Sequence, residues 1–380
     1  MTSAKSVSYY RTYGMNTTII KVYSVPLHAG RKENEMSIKK IKKWIAAVVL
    51  VLIAYGTPCS AESVDTLTYA VFPYLPDAAY YQELIEKRWA EIEPDIRLIR
   101  ADWDCYENGA PEEIDVVMFD AVMRDALIEA GWIQPIGLSA VQNAEDVFPF
   151  AIEGLTVDGE IYGIPVFLCG NFLIYDVDCG ALANAEHLTD LAQESEILLI
   201  NSGFYNNREQ YAFEILADIL REANPKADGG AEEMLSLMDR LAIDAHQRDD
   251  YTQMALAYDS GIGQGYIGFS ESIRFLNLRV SQTGIKAISF SNREDLPRVY
   301  TDAVAVTGGV NGLRYEKCIE LMNVMAEADI LTALSVQDGV PQYLLLARKS
   351  PYEPLAGQFQ LYAQLEKLAF NEDNQVILGP

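Results

Sequence analysis

The stretch EIDVVMFDAVMRDALIEAGWI (113–133) constrains the fold more tightly than any other. Four consecutive apolar residues, Val116 to Phe119, stand between two aspartates with no polar residue interleaved. A strand of that kind is buried on both faces, the habit of a parallel sheet covered by helices. After Asp120 the apolar spacing becomes helical and stops at Gly131. Upstream, DTLTYAVFPYLPD predicts a strand over 67–72, broken by Pro73, Pro76 and Asp77. AAYYQELIEKRWAEIEP predicts an amphipathic helix ending near Pro94, and DIRLIRADWD a second strand. Strand, helix, strand, helix in that order is the signature of a doubly wound α/β domain.

At 380 residues the chain is long enough for two cores, since single cores rarely grow past about 250–300 residues. GEIYGIPVFLCGNFLIYDVD (159–178) is apolar, broken by Pro165 and Gly170, and suited to carry the chain between domains. Residues 184–260 are expected to be mostly helical, in LTDLAQESEI, REQYAFEILADILREANP and AEEMLSLMDRLAIDA. Strand patterns return in GQGYIGFSES, IKAISF and VYTDAVAV, followed by helices in YEKCIELMNVMAEADILTALS and PLAGQFQLYAQLEKLAF. The fold class is therefore two-domain α/β with a ligand cleft between the domains. Residues 62–174 and 266–330 are expected in domain one and 175–265 in a mostly helical domain two. Residues 331–380 are expected to form helices packing across both.

Residues 36–61 read as a secretory signal peptide: lysines, a short apolar run from Trp44 to Tyr55, then small residues up to Ala61. The run is too short for an ordinary membrane span. Residues 1–35 are unassigned. This predicts a secreted or periplasmic protein, without a stable membrane anchor and expected to be a monomer. Residues 1–61 hold nine Lys/Arg and two Glu, which leaves 53 acidic against 20 basic residues beyond them. Such a surface repels nucleic-acid backbones and favours neutral or cationic ligands. Four cysteines follow the signal, at 105, 169, 179 and 318, too few for a disulfide scaffold. His187 and His246 lie in no motif, no metal-ligand spacing occurs, and no metal or cofactor is expected.

Cys169 ends the apolar run GIPVFLC, where open α/β sheets face their ligands. It is a core thiol, half of a disulfide, or a nucleophile if a base lies nearby. Glu271, after YIGFS, is either an exposed loop carboxylate or that base, its pKa raised by burial. Asp102, Asp104, Asp120 and Asp302 each close an apolar run. Converging on a cleft they would hold a cationic ligand or an aminopyrimidine; singly, each is an ordinary helix cap. Tyr74, Trp103, Tyr106 and Tyr300 flank the same ends, either as core or as a stacking wall for a flat cation. GIGQG lacks the dinucleotide fingerprint and the P-loop lysine.

FPYLPD, DWDCY, IDVVMFD, QNAEDVFPFAIEG, GEIYGIPVFLCGNFLIY, GYIGFSES, VYTDAVAV and PQYLLLAR, in that order over 68–380, resemble thiaminase I, thiamine pyridinylase. The resemblance implies the group II periplasmic-binding-protein-like fold and a thiamine-degrading transferase. It implies that Cys169 is the nucleophile and Glu271 its base, with Asp120, Asp302, Tyr106 and Tyr300 in the substrate cleft; Tyr74 and Asp104 are substrate-binding candidates from their place at the same strand ends. Phe72 and Phe269 stand where the family has cleft tyrosines. The co-substrate would be an amine, a pyridine or a thiol. The alternative is a solute-binding protein that captures thiamine or a related pyrimidine for import, because this fold serves both ends.

Overall fold

The computed structural model describes residues 63–191, 199–200, 236, 240–243, 251–287 and 298–379. The chain divides into two units, 1–61 and 62–380, and all that follows concerns the second. The signal-peptide segment, His246 and the helix expected over REQYAFEILADILREANP lie outside the described residues.

Two sheets organise the second unit. The first is built on β1 (Thr66–Ala70), β2 (Arg97–Arg100), β3 (Val116–Asp120), β4 (Ile164–Cys169) and a long strand, Arg298–Val306. The order from one edge is β2, β1, β3, Arg298–Val306, β4, then the short Leu345–Leu346, with Gln375–Val376 beside the start of the long strand. β1 pairs parallel with β2 and β3, as the unbroken apolar run requires, and every residue of β3 is buried. The long strand runs antiparallel to both β3 and β4. A purely parallel reading therefore fails at the long strand and at the two short strands that share its direction, Leu345–Leu346 and Gln375–Val376: the long strand's nine residues return from the second sheet and wedge between two strands of opposite direction.

The second sheet consists of β5 (Phe172–Asp176), β6 (Leu199–Ile200), β7 (Ala242–Ile243), β8 (Gly265–Gly268) and β9 (Thr283–Ala287), in the order β9, β5, β8, β6, β7. The long strand Arg298–Val306 is β10. Only two residues, Gly170 and Asn171, separate β4 of the first sheet from β5 of the second. A Cβ at Gly170 would stand 2.8 Å from the Phe172 ring, so the turn closes only around a hydrogen. β5 opens the second sheet at Phe172 and pairs antiparallel with both β8 and β9, so 172–174, 266–268 and 283–287, expected in domain one, are strands of the second sheet. Of LTDLAQESEI, expected to be helical, only 188–191 lies among the described residues, as a 3-10 turn, Leu188–Leu191; Leu199 and Ile200 beyond it form a strand. Ala242 and Ile243, expected to be helical, form β7. Tertiary pairing with β6 overrides the helical periodicity there.

Helix α1 (Ala78–Ile92) covers the first sheet with Tyr81, Ile85 and Trp89, the i, i+4, i+8 stripe the sequence predicts. Asp77 caps it from a left-handed conformation, accepting a hydrogen bond from the Tyr80 N–H. α2 (Gly312–Met325) and α3 (Ala328–Ser335) pack beside α1, and Tyr81 donates its hydroxyl to the Met325 carbonyl. The last helix, Tyr362–Ala369, bridges the two sheets: the Ile285 N–H of β9 donates to Gln364 Oε1 at 2.8 Å, while Tyr362 donates to the Ser335 carbonyl. No helix among the described residues is long and apolar enough to cross a membrane.

Candidate active site

Strand register gathers the site. Asp302 of β10 lies opposite Asp120 of β3, and Tyr300 lies opposite Cys169 of β4. Asp120 and Cys169 are the last residues of their strands, so one end of the first sheet carries all four. That end is the crevice where the strand order reverses, β2 to one side of β1 and β3 to the other. A register shift between Asp302 and Ala303 in the pairing with β4 marks a local irregularity beside the site, a common device for re-aiming side chains. Tyr300 and Asp302 share one face, while Thr301 between them is fully buried on the opposite face.

Glu271 comes from the other sheet. β8 ends at Gly268, and the chain turns through a 3-10 segment, Ser270–Phe275, that projects Glu271 back toward Cys169. The Cys169 Sγ stands 4.0 Å from Glu271 Oε1. That is the outer limit for a thiol hydrogen bond, and such contacts tighten when substrate binds. The two groups therefore meet from strands of different sheets.

The electrostatics suit proton transfer rather than a resting thiolate. Burial, then the charges of Glu271, Asp302 and Asp120, holds the Cys169 thiol well above its ordinary pKa. Burial pushes Glu271 up to about 7, with Arg274 pulling the other way. Asp302 is also held well above the carboxylate range, by desolvation and by the charges of Asp120 and Glu271. Asp120 is raised by burial but is opposed by two donors: the Tyr106 hydroxyl at 2.6 Å and the Val122 N–H at 2.9 Å. Asp302 has no donor among the described residues. Two carboxylates this close ionise unequally, and the two donors favour the ionised form at Asp120 over Asp302. Asp120 caps the following 3-10 turn and also lies opposite Asp302 at the sheet end.

The aromatic wall forms from two loops. Phe72, Tyr74 and Tyr106 pack with ring centroids 5.3 to 6.4 Å apart. Asp104 builds that wall: one oxygen accepts the Tyr74 hydroxyl at 2.8 Å, the other the Tyr106 N–H at 2.8 Å. The Asp104 hydrogen bond raises Tyr74 to about 12. Phe269 meets Tyr300 edge-on at 6.3 Å. Trp103 is not part of the wall; it is buried and donates to the Gly109 carbonyl, while Asp102 is exposed. All four described cysteines are free thiols, and Cys105 is buried beneath the wall. Sequence reading missed Arg274, whose only signal was a lone cation three residues after Glu271. Among the described residues no cluster of three His, Cys, Asp or Glu is placed to hold a metal ion.

At one end of the first sheet of this two-sheet α/β fold a thiol and a carboxylate meet, the parts of a nucleophile and base. A maltodextrin-binding protein from L. casei shares that fold alone: 12% identity, TM-score 0.61, 84% of this chain and 89% of that one. No protein-family model matches the chain. Thiaminase-1 of Paenibacillus thiaminolyticus is 31% identical over 382 residues, covering 90% of this chain and 93% of its own. The Clostridium botulinum thiaminase I solved in complex with thiamin superposes with TM-score 0.72 at 27% identity, covering 82% of this chain and 94% of that one. The chain belongs to the thiaminase I family: it is a thiamine-degrading transferase with the two-domain, periplasmic-binding-protein-like α/β fold.

Proposed function

We propose that Cys169 is the nucleophile of this transferase and Glu271 the base that activates it. The observation that carries the reading is the 4.0 Å approach of the Cys169 sulfur to a Glu271 oxygen at the end of the first sheet. Glu271, titrating near 7, is partly ionised at neutral pH and takes the thiol proton as the sulfur adds to C6 of the thiamine pyrimidine. The ring, now dearomatised, expels the thiazole, which leaves with the electron pair of its bond to the bridging methylene. An amine, pyridine or thiol adds at that methylene, and the returning electron pair releases Cys169. The sulfur recovers its proton from Glu271, and a protic nucleophile gives up its own proton to solvent. A positively charged thiazolium is already a good leaving group, so the steps need only binding, a base and exclusion of water.

Asp120, with Tyr106, and Asp302 are positioned to hold the aminopyrimidine: one as an ionised acceptor, the other as a protonated donor. Tyr74, Tyr106 and Phe72 on one side and Tyr300 and Phe269 on the other supply faces for flat rings. Phenylalanine at 72 and 269 removes two hydroxyls from those walls, which favours apolar aromatic co-substrates there. The signal-like segment 36–61 supports action outside the cytoplasm.

The test is incubation of the purified enzyme with thiamine and an aromatic amine, with mass spectrometry of small molecules and intact protein. Free thiazole alcohol plus a pyrimidine–amine product is expected, with a pyrimidine adduct on Cys169 when the amine is withheld. Cys169→Ser should lose turnover and the adduct while still binding thiamine. Turnover by that variant at the wild-type rate would overturn the assignment.

A further inference from the structure

Glu271 is the one site carboxylate with a cation on its own turn. Arg274 lies three residues on, within the 3-10 segment Ser270–Phe275, where i and i+3 side chains eclipse on one face. Its guanidinium sits 4.7 Å over the Phe275 ring. Its Nη1 donates to Gln342 Oε1 at 3.3 Å. Gln342 is a fixed anchor: it is buried, its N–H donates to the Ser335 carbonyl at 2.9 Å, and its Nε2 donates to the Val340 carbonyl at 3.0 Å. Ser335 ends α3, so the brace reaches from the turn after β8 of the second sheet to a helix that covers the first. Half-buried, with Asp77 at the start of α1 as its other charged neighbour, Arg274 is less hydrated than a surface arginine, and its field on Glu271 is correspondingly less screened.

We infer that Arg274 is a positioning residue for proton transfer: braced by Gln342 and Phe275, it fixes the turn that carries Glu271 and supplies the positive charge that keeps that carboxyl available as a base. This rests on the assignment of Glu271 as base. The groups facing Glu271 are Arg274 on its own turn, Cys169 on β4, Asp302 on β10 and Tyr266 on β8; those facing Arg274 are Glu271 and Asp77. Arg274 is the only cation among them. Burial raises Glu271 and Arg274 opposes that rise. Without the arginine the carboxyl would hold its proton to higher pH, and the activity rising through its ionisation would move the same way.

The experiment compares wild type, Arg274→Gln, Arg274→Lys, Gln342→Leu and Glu271→Gln. Two readouts run against pH: kcat/KM with thiamine, and the rate of Cys169 alkylation by iodoacetamide, followed by peptide mass. For Arg274→Gln the acidic limb should move up by about one pH unit, a loss of about tenfold below pH 6.5 that shrinks to about twofold or less near pH 9. Lysine should restore most of the limb because it restores the charge. Gln342→Leu keeps the charge but frees it, so kcat should fall with KM unchanged. A role confined to folding would lower both readouts equally at every pH. An Arg274→Gln limb superimposed on the wild-type limb, with Glu271→Gln lacking the limb, overturns the role of Arg274 alone. A limb retained in Glu271→Gln overturns the base assignment itself. If Arg274→Gln fails to fold, Gln342→Leu with an unchanged kcat would overturn the brace, and Arg274→Lys with its limb moved up by about a full pH unit would overturn the role of the charge.

Discussion

Replacing Asp302 with Asn should make the enzyme a better folded protein at neutral pH and a poorer catalyst. In the native state Asp302 is desolvated, faces Asp120 across the β3–β10 ladder and has no donor among the described residues, so its pKa is well above the ordinary 3.8. The folded chain therefore binds this proton more tightly than the unfolded chain. The resulting stabilisation is complete at pH values below the unfolded pKa and is lost as pH rises through the folded one. Within that window, which opens near pH 4, one such proton changes stability by about 1.4 kcal/mol per pH unit. Asn does not titrate, so the variant lacks this slope, and Asp120 loses the neighbour that repels it. Urea unfolding of both proteins at pH 5, 6 and 7 measures the difference directly. Wild type should lose ground to D302N at each step, approaching about 1.4 kcal/mol per unit, while kcat/KM for thiamine drops in the variant. Parallel stability curves would refute the reading that Asp302 carries the proton of the pair.

Glu271→Gln should lower kcat/KM by about 100-fold to 10,000-fold at pH 7, the usual range for a positioned base. The deficit should narrow at alkaline pH as the thiol ionises unaided, and a loss of only a few fold at pH 7 would count against the base. Tyr106→Phe removes the 2.6 Å hydrogen bond to Asp120 and should cost about tenfold to a hundredfold in kcat/KM, the worth of a bond to a charged group. Its thermal midpoint should move little, because Tyr106 lies at the exposed rim. Gly265→Ala would place a Cβ 2.6 Å from the Ile174 carbonyl oxygen of the neighbouring strand. Urea denaturation should show a loss of about 1–3 kcal/mol, and no loss would mean that β5 and β8 can part without cost.

The parallel core was legible because VVMF admits no other comfortable strand, and α1 because its apolar stripe and Asp77 cap agree. The long strand VYTDAVAV was legible as a strand but not as the antiparallel wedge, since direction is set by where a chain returns from. AEEMLSLMDRLAIDA illustrates the limit: helical spacing at Ala242–Ile243 yields to a ladder with Leu199–Ile200 that no local pattern announces. Within the site, Asp120 and Asp302 could be singled out as strand ends, but their pairing depends on register. Asp104 was expected beside the substrate; its two oxygens are engaged in holding Tyr74 and Tyr106. Cys169 and Glu271 lie 102 positions apart, and only the turn back from the second sheet makes them neighbours.

The high pKa of Cys169 bears on how long the enzyme lasts as well as on how it reacts. Oxidants attack thiolates far faster than thiols, and the oxidation of an exposed thiolate runs on to irreversible acids. A sulfur kept protonated by burial and by the carboxylates around it is chemically quiet at rest. Under the proposed mechanism it would become nucleophilic only while a substrate ring accepts its electrons and Glu271 takes its proton. If the enzyme acts outside the cytoplasm, as proposed, such a sulfur would last in an oxidising medium without the protection of a disulfide.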